Sequence, residues 1–227
     1  MLYILRLAAS TFQRTISPIF HFLIGNYFLQ MTNTNLTTRT MTNIVILGAS
    51  FAGLSTAHRI LKQAVKAGVP VKITLLSPNT DFYWNIAAPR ALVPGQLSDD
   101  GVFQPISAGF SKYTSSQFEF IVASAESLDV VARKVVLSTN VTINYDFLIL
   151  ATGSSVKEGT PLKTLESTEA TKDALHDFQA RVKQAETIVI AGAGATGVEI
   201  AGELGFEYRQ QKKIILVSMR RHENLRI

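Results

Sequence analysis

The sequence predicts an α/β fold made of two Rossmann-like dinucleotide-binding modules with a three-stranded β-meander between them. Two observations predict this fold. A strand–turn–helix–strand pattern occurs twice, beginning near Ile44 and again near Thr187, and each turn is punctuated by glycine. Each copy opens with a short β-branched run, which is typical of a buried parallel strand. We call the two copies the first and the second module.

The first module begins with the apolar run 44–47 and continues through the turn residues Gly48, Ala49, Ser50, Phe51, Ala52 and Gly53. Apolar residues then recur at helical spacing, at Leu54, Ala57, Leu61, Ala64 and Val65. Gly68 is the expected C-terminal stop of this helix. Residues 71–76 are the predicted second strand of the module.

The second module repeats this design. The run Thr187–Ala191 leads into a turn that contains Gly192, Gly194, Thr196 and Gly197. The helical stripe that follows consists of Ile200, Ala201, Leu204 and Tyr208. Lys213–Val217 is the predicted second strand.

The spacing of the glycines has a physical reason. In a dinucleotide-binding turn the first glycine allows a sharp turn, the second allows the backbone to approach a pyrophosphate, and the third allows helix and strand to pack closely. The phosphates then lie at the helix N-terminus, where unpaired N–H groups favour negative charge. The alternative is a pair of ordinary glycine turns. Two turns in register, each with its strand and helix, favour nucleotide binding.

The amino-acid composition excludes several classes of function. The chain has 227 residues, of which 47% are hydrophobic and 17% charged, so it is globular. It has no cysteine, which excludes disulfides, thiolate metal sites and a redox-active dithiol. The formal net charge is +5, but no basic run with interleaved aromatic residues occurs, so nucleic acid is not an expected partner. No metal site is predicted.

The N-terminal extension, residues 1–40, differs from the rest in composition. It carries Arg6, Arg14 and Arg39, several Ser and Thr residues and no acidic residue. A mitochondrial presequence, an interfacial membrane anchor and a mis-annotated start are all compatible with this composition. The run 16–29 is too short and too interrupted to predict a membrane span. We therefore expect a cytoplasmic or mitochondrial protein, with peripheral membrane contact as one alternative.

The segment between the predicted strands at 71–76 and 118–128 is expected to be irregular over residues 79–117. Its aromatic residues 82–84 could line a cofactor cavity or simply cover the sheet. Arg90 could reach a phosphate or a flavin ring, or it could be an ordinary surface residue.

Three further strands are predicted at 118–128, Lys134–Leu137 and 145–150, followed by the small residues Ala151, Thr152 and Gly153. Small residues after a buried strand allow the backbone to lie against a ligand, although an ordinary turn has the same composition. A linker at 154–165 and a helix at 167–184 then lead into the second module.

Together, these motifs resemble those of the two-dinucleotide-binding flavoprotein oxidoreductases. The match is Gly48-x-Ser50-x-x-Gly53, then Ala151-Thr152-Gly153, then Gly192-x-Gly194-x-x-Gly197-Val198-Glu199. Within that superfamily, the segment from Asp81 to Arg90 is most similar to the apoptosis-inducing-factor-like group. This group includes the mitochondrion-associated inducer of death (ferroptosis suppressor) and fungal homologues. The resemblance implies FAD at the first module, NAD(P)H at the second, and electron transfer to a quinone-type acceptor.

The resemblance also implies roles for single residues. Residues 48–53 would surround the FAD pyrophosphate, with Arg90 near the flavin and the backbone of Ala125 near the adenine. Ala151, Thr152 and Gly153 would lie on the cofactor where the chain crosses to the second module. Gly192, Gly194, Thr196 and Gly197 would hold the pyridine nucleotide, with Glu199 near its nicotinamide end. No catalytic side chain is expected, because the two cofactors carry the chemistry.

The sequence departs from the family pattern in three respects. Ser50 replaces the second glycine of the first turn, and Ser77 and Ser218 stand where an acidic residue would bind a ribose. The later FAD-binding strand and the C-terminal domain do not follow. We therefore expect a fold that is incomplete at the C-terminus, with an extension at 1–40, a FAD-binding part at 41–155 and a truncated NAD(P)-binding part at 156–227.

Without the later FAD-binding strand and the C-terminal domain, we expect the two cofactors to be poorly held and turnover to be weak or absent. An inactive nucleotide-binding or interaction protein is therefore the alternative function. The sequence of the polar tail 219–227 has neither a helix period nor a strand period, so we do not expect it to replace those elements. Tyr208 and Lys212 have the spacing of the catalytic pair of short-chain dehydrogenases, a weaker alternative because the pair follows a second glycine turn. The oligomeric state is not predicted.

Overall fold

The computed structural model describes residues 40–156 and 160–218. The N-terminal extension and the tail 219–227 lie outside the described residues. Numbered in chain order, the strands are β1 (Thr42–Leu47), β2 (Val71–Ser77), β3 (Asp81–Tyr83), β4 (Phe103–Pro105), β5 (Phe118–Val122), β6 (Ala125–Asp129), β7 (Lys134–Leu137), β8 (Thr142–Asn144), β9 (Phe147–Leu150), β10 (Thr187–Ala191) and β11 (Lys213–Val217). The α-helices are α1 (Phe51–Ala67), α2 (Ala88–Ala91), α3 (Asp99–Val102), α4 (Thr168–Gln184) and α5 (Ala195–Tyr208).

A four-stranded parallel sheet forms the centre of the first module, with the strand order β5-β2-β1-β9. The chain adds β2 and then β5 on one side of β1, and it adds β9 on the other side. The order therefore reverses at β1, and ligands of open parallel sheets bind outside the carboxyl ends of the strands at such a reversal. The carboxyl ends of β1 and β9 are Leu47 and Leu150, which pair directly.

The helix α1 packs on the sheet through most of its predicted stripe, but the predicted Val65 is 56% exposed and Ile60 is buried instead. Ala57, Ile60, Leu61 and Ala64 are buried, and the helix ends at Gly68, whose φ of 61° is left-handed. The Gly68 N–H donates to the carbonyls of Ala64 and Val65, which closes the last turn. The predicted helix and its stop are confirmed.

The predicted β-meander is confirmed, but its strands are assigned differently. The predicted strand 118–128 is two strands, because the chain leaves the parallel sheet after the Ala123 N–H bonds to the Ser77 carbonyl at 3.0 Å. The meander is β6-β7-β8, and its third strand lies at Thr142–Asn144 rather than within the predicted strand 145–150. The latter starts at Phe147 and belongs to the parallel sheet.

The meander covers the face of the sheet to which Val45 and Leu47 point. These residues form one core with Val135, Leu137 and Tyr145. Because side chains alternate along a strand, Ile44 and Ile46 point to the opposite face, toward α1. The first module is thus a sheet between the meander and a helix.

The segment 79–117, which we expected to be irregular, contains short regular elements. β3 and β4 pair antiparallel, and α2, α3 and the 3₁₀ turns Asn85–Ala87 and Ser107–Phe110 lie around them. Elements of three or four residues are too short to show a period of 2 or 3.6, so the sequence pattern could not reveal them.

The second module consists of β10, α5 and β11, and its two strands are parallel, with Thr187 paired with Lys213 and Ala191 with Val217. The helix α4 begins at Ser167, whose hydroxyl accepts from the Ala170 N–H at 3.0 Å. Leu175 of α4 packs with Tyr83 and Leu92, whereas Val182 packs with Val93 and Leu204 of α5. One helix thus contributes to both apolar clusters. Within the described residues no helix combines the length and apolar character needed to cross a membrane.

Tyr83 gives a test of this packing in alkaline solution. Its side chain is 2% exposed, its hydroxyl donates to the Pro161 carbonyl at 2.7 Å, and burial raises its pKa from 10.0 to about 12. The folded protein holds this proton more tightly than the unfolded chain does. The contribution of the protonated hydroxyl to the free energy of unfolding is therefore intact below pH 10 and is lost between pH 10 and about 12.

We expect Tyr83→Phe to lower the free energy of unfolding by about 1–2 kcal/mol at pH 7, because the Pro161 carbonyl loses its donor. Between pH 10 and 12 the wild type should lose about 2 kcal/mol more than the variant does. Urea unfolding across this range measures both, with Tyr113→Phe as the control. If the free energy of unfolding fell equally in the wild type and in Tyr83→Phe between pH 10 and 12, the raised pKa of Tyr83 would be contradicted.

Candidate functional site

A cavity of about 230 Å³ lies at the carboxyl ends of β1, β2 and β9. Its wall is formed by the first glycine turn, the end of β2, the residues after β9 and the linker before α4: Gly48, Ala49, Ser50, Ser77, Pro78, Asn79, Asp81, Tyr83, Ala151, Thr152, Ser154, Ser155, Thr164 and Leu165. This is the position at which the reversal of strand order places a ligand. Five of the predicted site residues, namely Gly48, Ala49, Ser50, Ala151 and Thr152, therefore line one cavity.

The first glycine turn has the geometry that its spacing predicted. Gly48 has a φ of +105°, and a Cβ there would overlap the carbonyl oxygen of Ala151. A Cβ at Gly53 would overlap the carbonyl oxygen of Gly48 and would lie 3.5 Å from Cγ2 of Ile46. Gly48 thus allows the turn and the approach of β9, and Gly53 allows α1 to lie against β1.

The remaining residues of the first turn begin the helix. Ser50 is the N-cap of α1 in an extended conformation, but its hydroxyl makes no capping hydrogen bond. Phe51 contacts the ring of Phe82 edge-on, with the centroids 4.9 Å apart. Ala52 is exposed. The first N–H groups of α1 therefore have no side-chain acceptor among the described residues.

The second glycine turn repeats this geometry. Gly192 has a φ of +110°, and a Cβ at Gly197 would overlap the Gly192 carbonyl oxygen and lie 3.5 Å from Cγ2 of Ile190. The Gly192 N–H donates to Val217 at 2.8 Å, as the Gly48 N–H donates to Leu76 at 2.8 Å. Gly194 is the uncapped N-cap of α5.

The two turns differ in their surroundings. Within the described residues, a Cβ at Gly192 or Gly194 would meet no atom within 4 Å, whereas the first turn lies against Ala151. Thr196 and Glu199 are exposed on α5. Among the described residues, the second turn therefore has no neighbour that corresponds to Ala151 at the first turn.

Helix ends in this protein differ in their capping. α4 has a serine cap and Glu169 in its first turn, whereas α1 and α5 have neither a side-chain cap nor an acidic residue in the first turn. A carboxylate in those positions would compete with a bound anion for the same N–H groups and the same dipole. Among the three helices of more than four residues in the described ranges, the two that start at the glycine turns are the uncapped ones.

The cavity wall contains polar residues that sequence reasoning missed. Asn79 and Asp81 lie just after β2, where Ser77 is buried with its hydroxyl accepting from the Asn79 N–H at 3.1 Å. The Asn79 amide donates to the Leu165 carbonyl at 3.2 Å, and the Asp81 N–H donates to the Thr168 hydroxyl at 3.1 Å. The Asp81 carboxylate lies 3.4 Å from the Lys172 ammonium. The polar sequence Asn-Thr-Asp after a buried strand was the available signal.

Three further residues predicted at the flavin site lie outside the cavity wall, as do Phe51, Ala52 and Gly53. Gly153 follows the wall residue Thr152 with a φ of +68°, a conformation that favours glycine. Ala125 begins β6, two residues beyond the bond that joins Ala123 to the end of β2. Arg90 lies on α2 and pairs with Glu203 of α5 at 2.8 Å. The cofactor contacts of these residues stay predictions.

The pair Tyr208 and Lys212 has a structural role. The Lys212 ammonium donates to the carbonyls of Lys183 and Ala185 at 2.9 and 2.7 Å, at the C-terminus of α4, and lies 4.7 Å from the centre of the Tyr208 ring. A cation at a helix C-terminus is stabilising. In the described ranges, no group of three or more His, Asp or Glu side chains is arranged to hold a metal ion.

Comparison with known proteins agrees with the two-module site. A family model described as pyridine nucleotide-disulphide oxidoreductase matches residues 42–223. The chain is 50% identical over 182 residues to oxidoreductase ptaL of Pestalotiopsis fici, covering 78% of this chain and 49% of that protein. It is 27% identical over 180 residues to ferroptosis suppressor protein 1 of Xenopus tropicalis, covering 77% of this chain and 43% of that protein. The chain thus spans about half or less of the length of these relatives.

A solved structure gives the same fold. The sulfide:quinone oxidoreductase of Aquifex aeolicus matches with a TM-score of 0.59 and 22% identity, over 76% of this chain and 42% of that chain. This likeness confirms the predicted fold class. The similarity to ferroptosis suppressor protein 1 confirms the resemblance to the apoptosis-inducing-factor-like group, and proteins of the matched family use FAD and NAD(P)H.

The glycine geometry predicts separate losses for the two turns. Gly53→Val should abolish flavin uptake, because its side chain would drive α1 away from β1. Gly197→Val should abolish binding of the pyridine nucleotide and leave flavin uptake within about twofold, because the same overlap then occurs only in the second module. Flavin absorbance per chain and nucleotide titration measure the two losses.

The matched control is Gly202→Val, since Gly202 is also helical but a Cβ there meets no described atom within 4 Å. It should change neither binding activity. Full flavin content in Gly53→Val would show that this turn does not hold the flavin.

Proposed function

We propose that this chain, which belongs to the pyridine nucleotide-disulphide oxidoreductase family, carries the cofactor-binding modules of a FAD-dependent NAD(P)H oxidoreductase. FAD bound at the first module would accept a hydride from NAD(P)H and pass electrons to a quinone-type acceptor. The observation that carries the proposal is the repeated glycine cradle, in which Gly53 lies over the Gly48 carbonyl and Gly197 over the Gly192 carbonyl.

The residues of the first module fit the central part of FAD. Gly48, Ser50 and Gly53 bring the backbone of the turn close to a pyrophosphate, and the uncapped start of α1 offers N–H donors to it. The cavity of about 230 Å³ is smaller than the ~300–1,000 Å³ of typical ligand pockets, so it accounts for a part of a dinucleotide. Ala151 and Thr152 form the opposite wall of that part.

The residues of the second module suit an exchangeable nucleotide. The start of α5 carries no acid in its first turn and no side-chain cap, so Gly194, Ala195 and Thr196 present their backbone to solvent. An anionic pyrophosphate could enter this position without displacing a protein group. Glu199 lies one turn further along the same helix, as the resemblance implies for the nicotinamide end.

The proposal also covers the electron acceptor and the location of the protein. The name of the matched sulfide:quinone oxidoreductase supports a quinone-type acceptor. Peripheral membrane contact, in a cytoplasmic or mitochondrial setting, is supported by the absence of acidic residues before Asp81.

One observation favours the second candidate function, a nucleotide-binding or interaction protein without turnover. Apolar side chains of β10, β11 and α5 are exposed, including Val189 at 60% and Phe206 at 67%. An exposed apolar face of this kind marks a contact surface in many proteins. Such a surface is compatible with binding of another polypeptide and does not require catalysis.

The direct test is anaerobic reduction of the flavin. The purified chain, saturated with FAD, should show flavin absorbance that bleaches on addition of NAD(P)H and returns on addition of a soluble quinone. Gly197→Val is the matched control and should keep its flavin but resist bleaching by NAD(P)H. Flavin that binds but does not bleach in the wild type would favour the second candidate function.

A separate prediction concerns the choice of nucleotide. A carboxylate after the second strand of such a module binds the ribose 2′-hydroxyl of NADH and repels the 2′-phosphate of NADPH. The exposed Ser218, directly after β11, lacks that charge, and Arg220 and Arg221 follow it in the sequence. An arginine can pair a phosphate with two hydrogen bonds. We therefore expect the wild type not to favour NADH strongly, and to favour NADPH.

Equilibrium titration with both nucleotides measures this preference. Ser218→Asp should shift the ratio of the two dissociation constants toward NADH by about tenfold, which corresponds to one unfavourable charge contact, whereas the neutral Ser218→Asn should not. Tighter binding of NADH than of NADPH by the wild type would contradict the prediction.

A further inference from the structure

Arg90 joins the two modules through a chain of polar contacts. Its Nη1 donates to Oε2 of Glu203 on α5 at 2.8 Å, and its Nη2 donates to Oε1 of Gln96 at 2.8 Å. The amide of Gln96 in turn donates to Oε2 of Glu207 at 2.7 Å. We call these four residues the Arg90 ladder.

The ladder contacts α5 at two points one helical turn apart. Glu203 and Glu207 are four residues apart, so their carboxylates lie on one face of the helix and repel each other. Arg90 neutralises the first carboxylate and Gln96 donates to the second. Because the side chains of Arg90 and Glu203 are only 32% and 31% exposed, salt screens this pair less than a fully exposed one.

Apolar contacts next to the ladder also join the segment around α2 to α4 and α5. Val93, between Arg90 and Gln96 in the sequence, is fully buried with Leu204 of α5 and Val182 of α4. The Gln179 amide of α4 also donates to the Ala91 carbonyl at 2.6 Å. The segment around α2 therefore packs into the core of the second module.

The same segment is held to the first module at its other end. Tyr83 lines the cavity and packs in one cluster with Ala88, Ala91 and Leu92. The C-terminal half of α5, the helix that follows the second glycine turn, is thus connected to the cavity of the first module through one short helix. A contact at two points along α5 resists both sliding and rotation of that helix.

We propose that the Arg90 ladder fixes the orientation of the second module relative to the first and thereby sets the distance between the two bound cofactors. Its catalytic consequence rests on the proposed function. Arg90 acts as a positioning residue, with its two Nη atoms both engaged by protein acceptors. This role differs from the flavin contact that the family resemblance implies.

The orientation can be measured without any cofactor, because the chain has no native cysteine. Spin labels on Ser55→Cys, exposed on α1, and Gln210→Cys, exposed after α5, report the distance between the modules by pulsed electron resonance. The wild-type ladder should give one narrow distance distribution, and Arg90→Gln or Glu203→Gln should broaden it. The exchange of both charges, Arg90→Glu with Glu203→Arg, should restore a narrow distribution.

The controls are Arg59→Gln and Glu186→Gln, since neither side chain takes part in an ion pair among the described residues. Neither control should broaden the distribution. Arg90→Lys, which keeps the charge but lacks the fork that reaches both acceptors, should give an intermediate width. A distribution in Arg90→Gln equal to that of the wild type would overturn the proposal.

A kinetic measurement tests the consequence for the cofactors. In the FAD-loaded chain, Arg90→Gln should lower the limiting rate of flavin reduction by about tenfold or more, since a misplacement near 1 Å costs up to ~100-fold. Its flavin content and its dissociation constant for NAD(P)H should stay within about threefold of the wild type, and the charge exchange should restore the rate.

The outcomes separate the two proposals. Lower flavin content in Arg90→Gln with an unchanged distance distribution would assign Arg90 to the flavin and overturn the ladder. A wild type that takes up no flavin would contradict the proposed function, and the distance measurement would still decide whether the ladder orients the modules.

Discussion

The close approach of a helix to the strand before it is the constraint on which the site depends. In both modules, the Cα of a glycine in the first turn of the helix lies against the carbonyl oxygen of the glycine that follows the strand. No side chain can occupy that contact. This close approach places the uncapped N–H groups at the start of α1 and α5 beside the carboxyl ends of β1 and β10. The position of each glycine turn therefore follows from backbone packing and not from any charged side chain.

Polar contacts connect this packing to the second module. The linker before α4 is attached to the end of β2 by the bond of Asn79 to the Leu165 carbonyl and by the contacts of Thr80 and Asp81 with Thr168. Thr168 is also within the first turn of α4, whose far end carries Val182 in the core of the second module. A rigid helix thus begins at one cavity wall and ends in the other module. These bonds are partly buried, and a hydrogen bond shielded from water is stronger and its loss more costly than at the surface.

The parts of the fold that depend on local chemistry could be predicted from the sequence. The strands that flank the glycine turns, the stop at Gly68 and the start of α4 at Ser167 follow from residue spacing and backbone preference, and all are observed. The break between β5 and β6 could not be predicted, because it depends on β5 joining the far edge of a parallel sheet. The partner of Arg90 lies 113 residues away in the sequence, so only tertiary structure could identify it. The same holds for Asp81 and Lys172, 91 residues apart.

The two turns are similar in backbone geometry but unequal in access, and the inequality has a consequence for binding. Ala151 lies against Gly48, and Ala151, Thr152 and the linker enclose the first turn on the side away from β2. At Gly192 no atom of the described residues occupies the corresponding place. A ligand at the first turn would contact Ala151 and Thr152 as well as the turn itself, whereas one at the second turn would meet no described atom in the corresponding place. Under the proposed function, this difference would suit a FAD that stays bound and an NAD(P)H that exchanges. The role proposed for the Arg90 ladder concerns the same second module, because the ladder and the cluster of Val93, Val182 and Leu204 join α5 to the segment around α2.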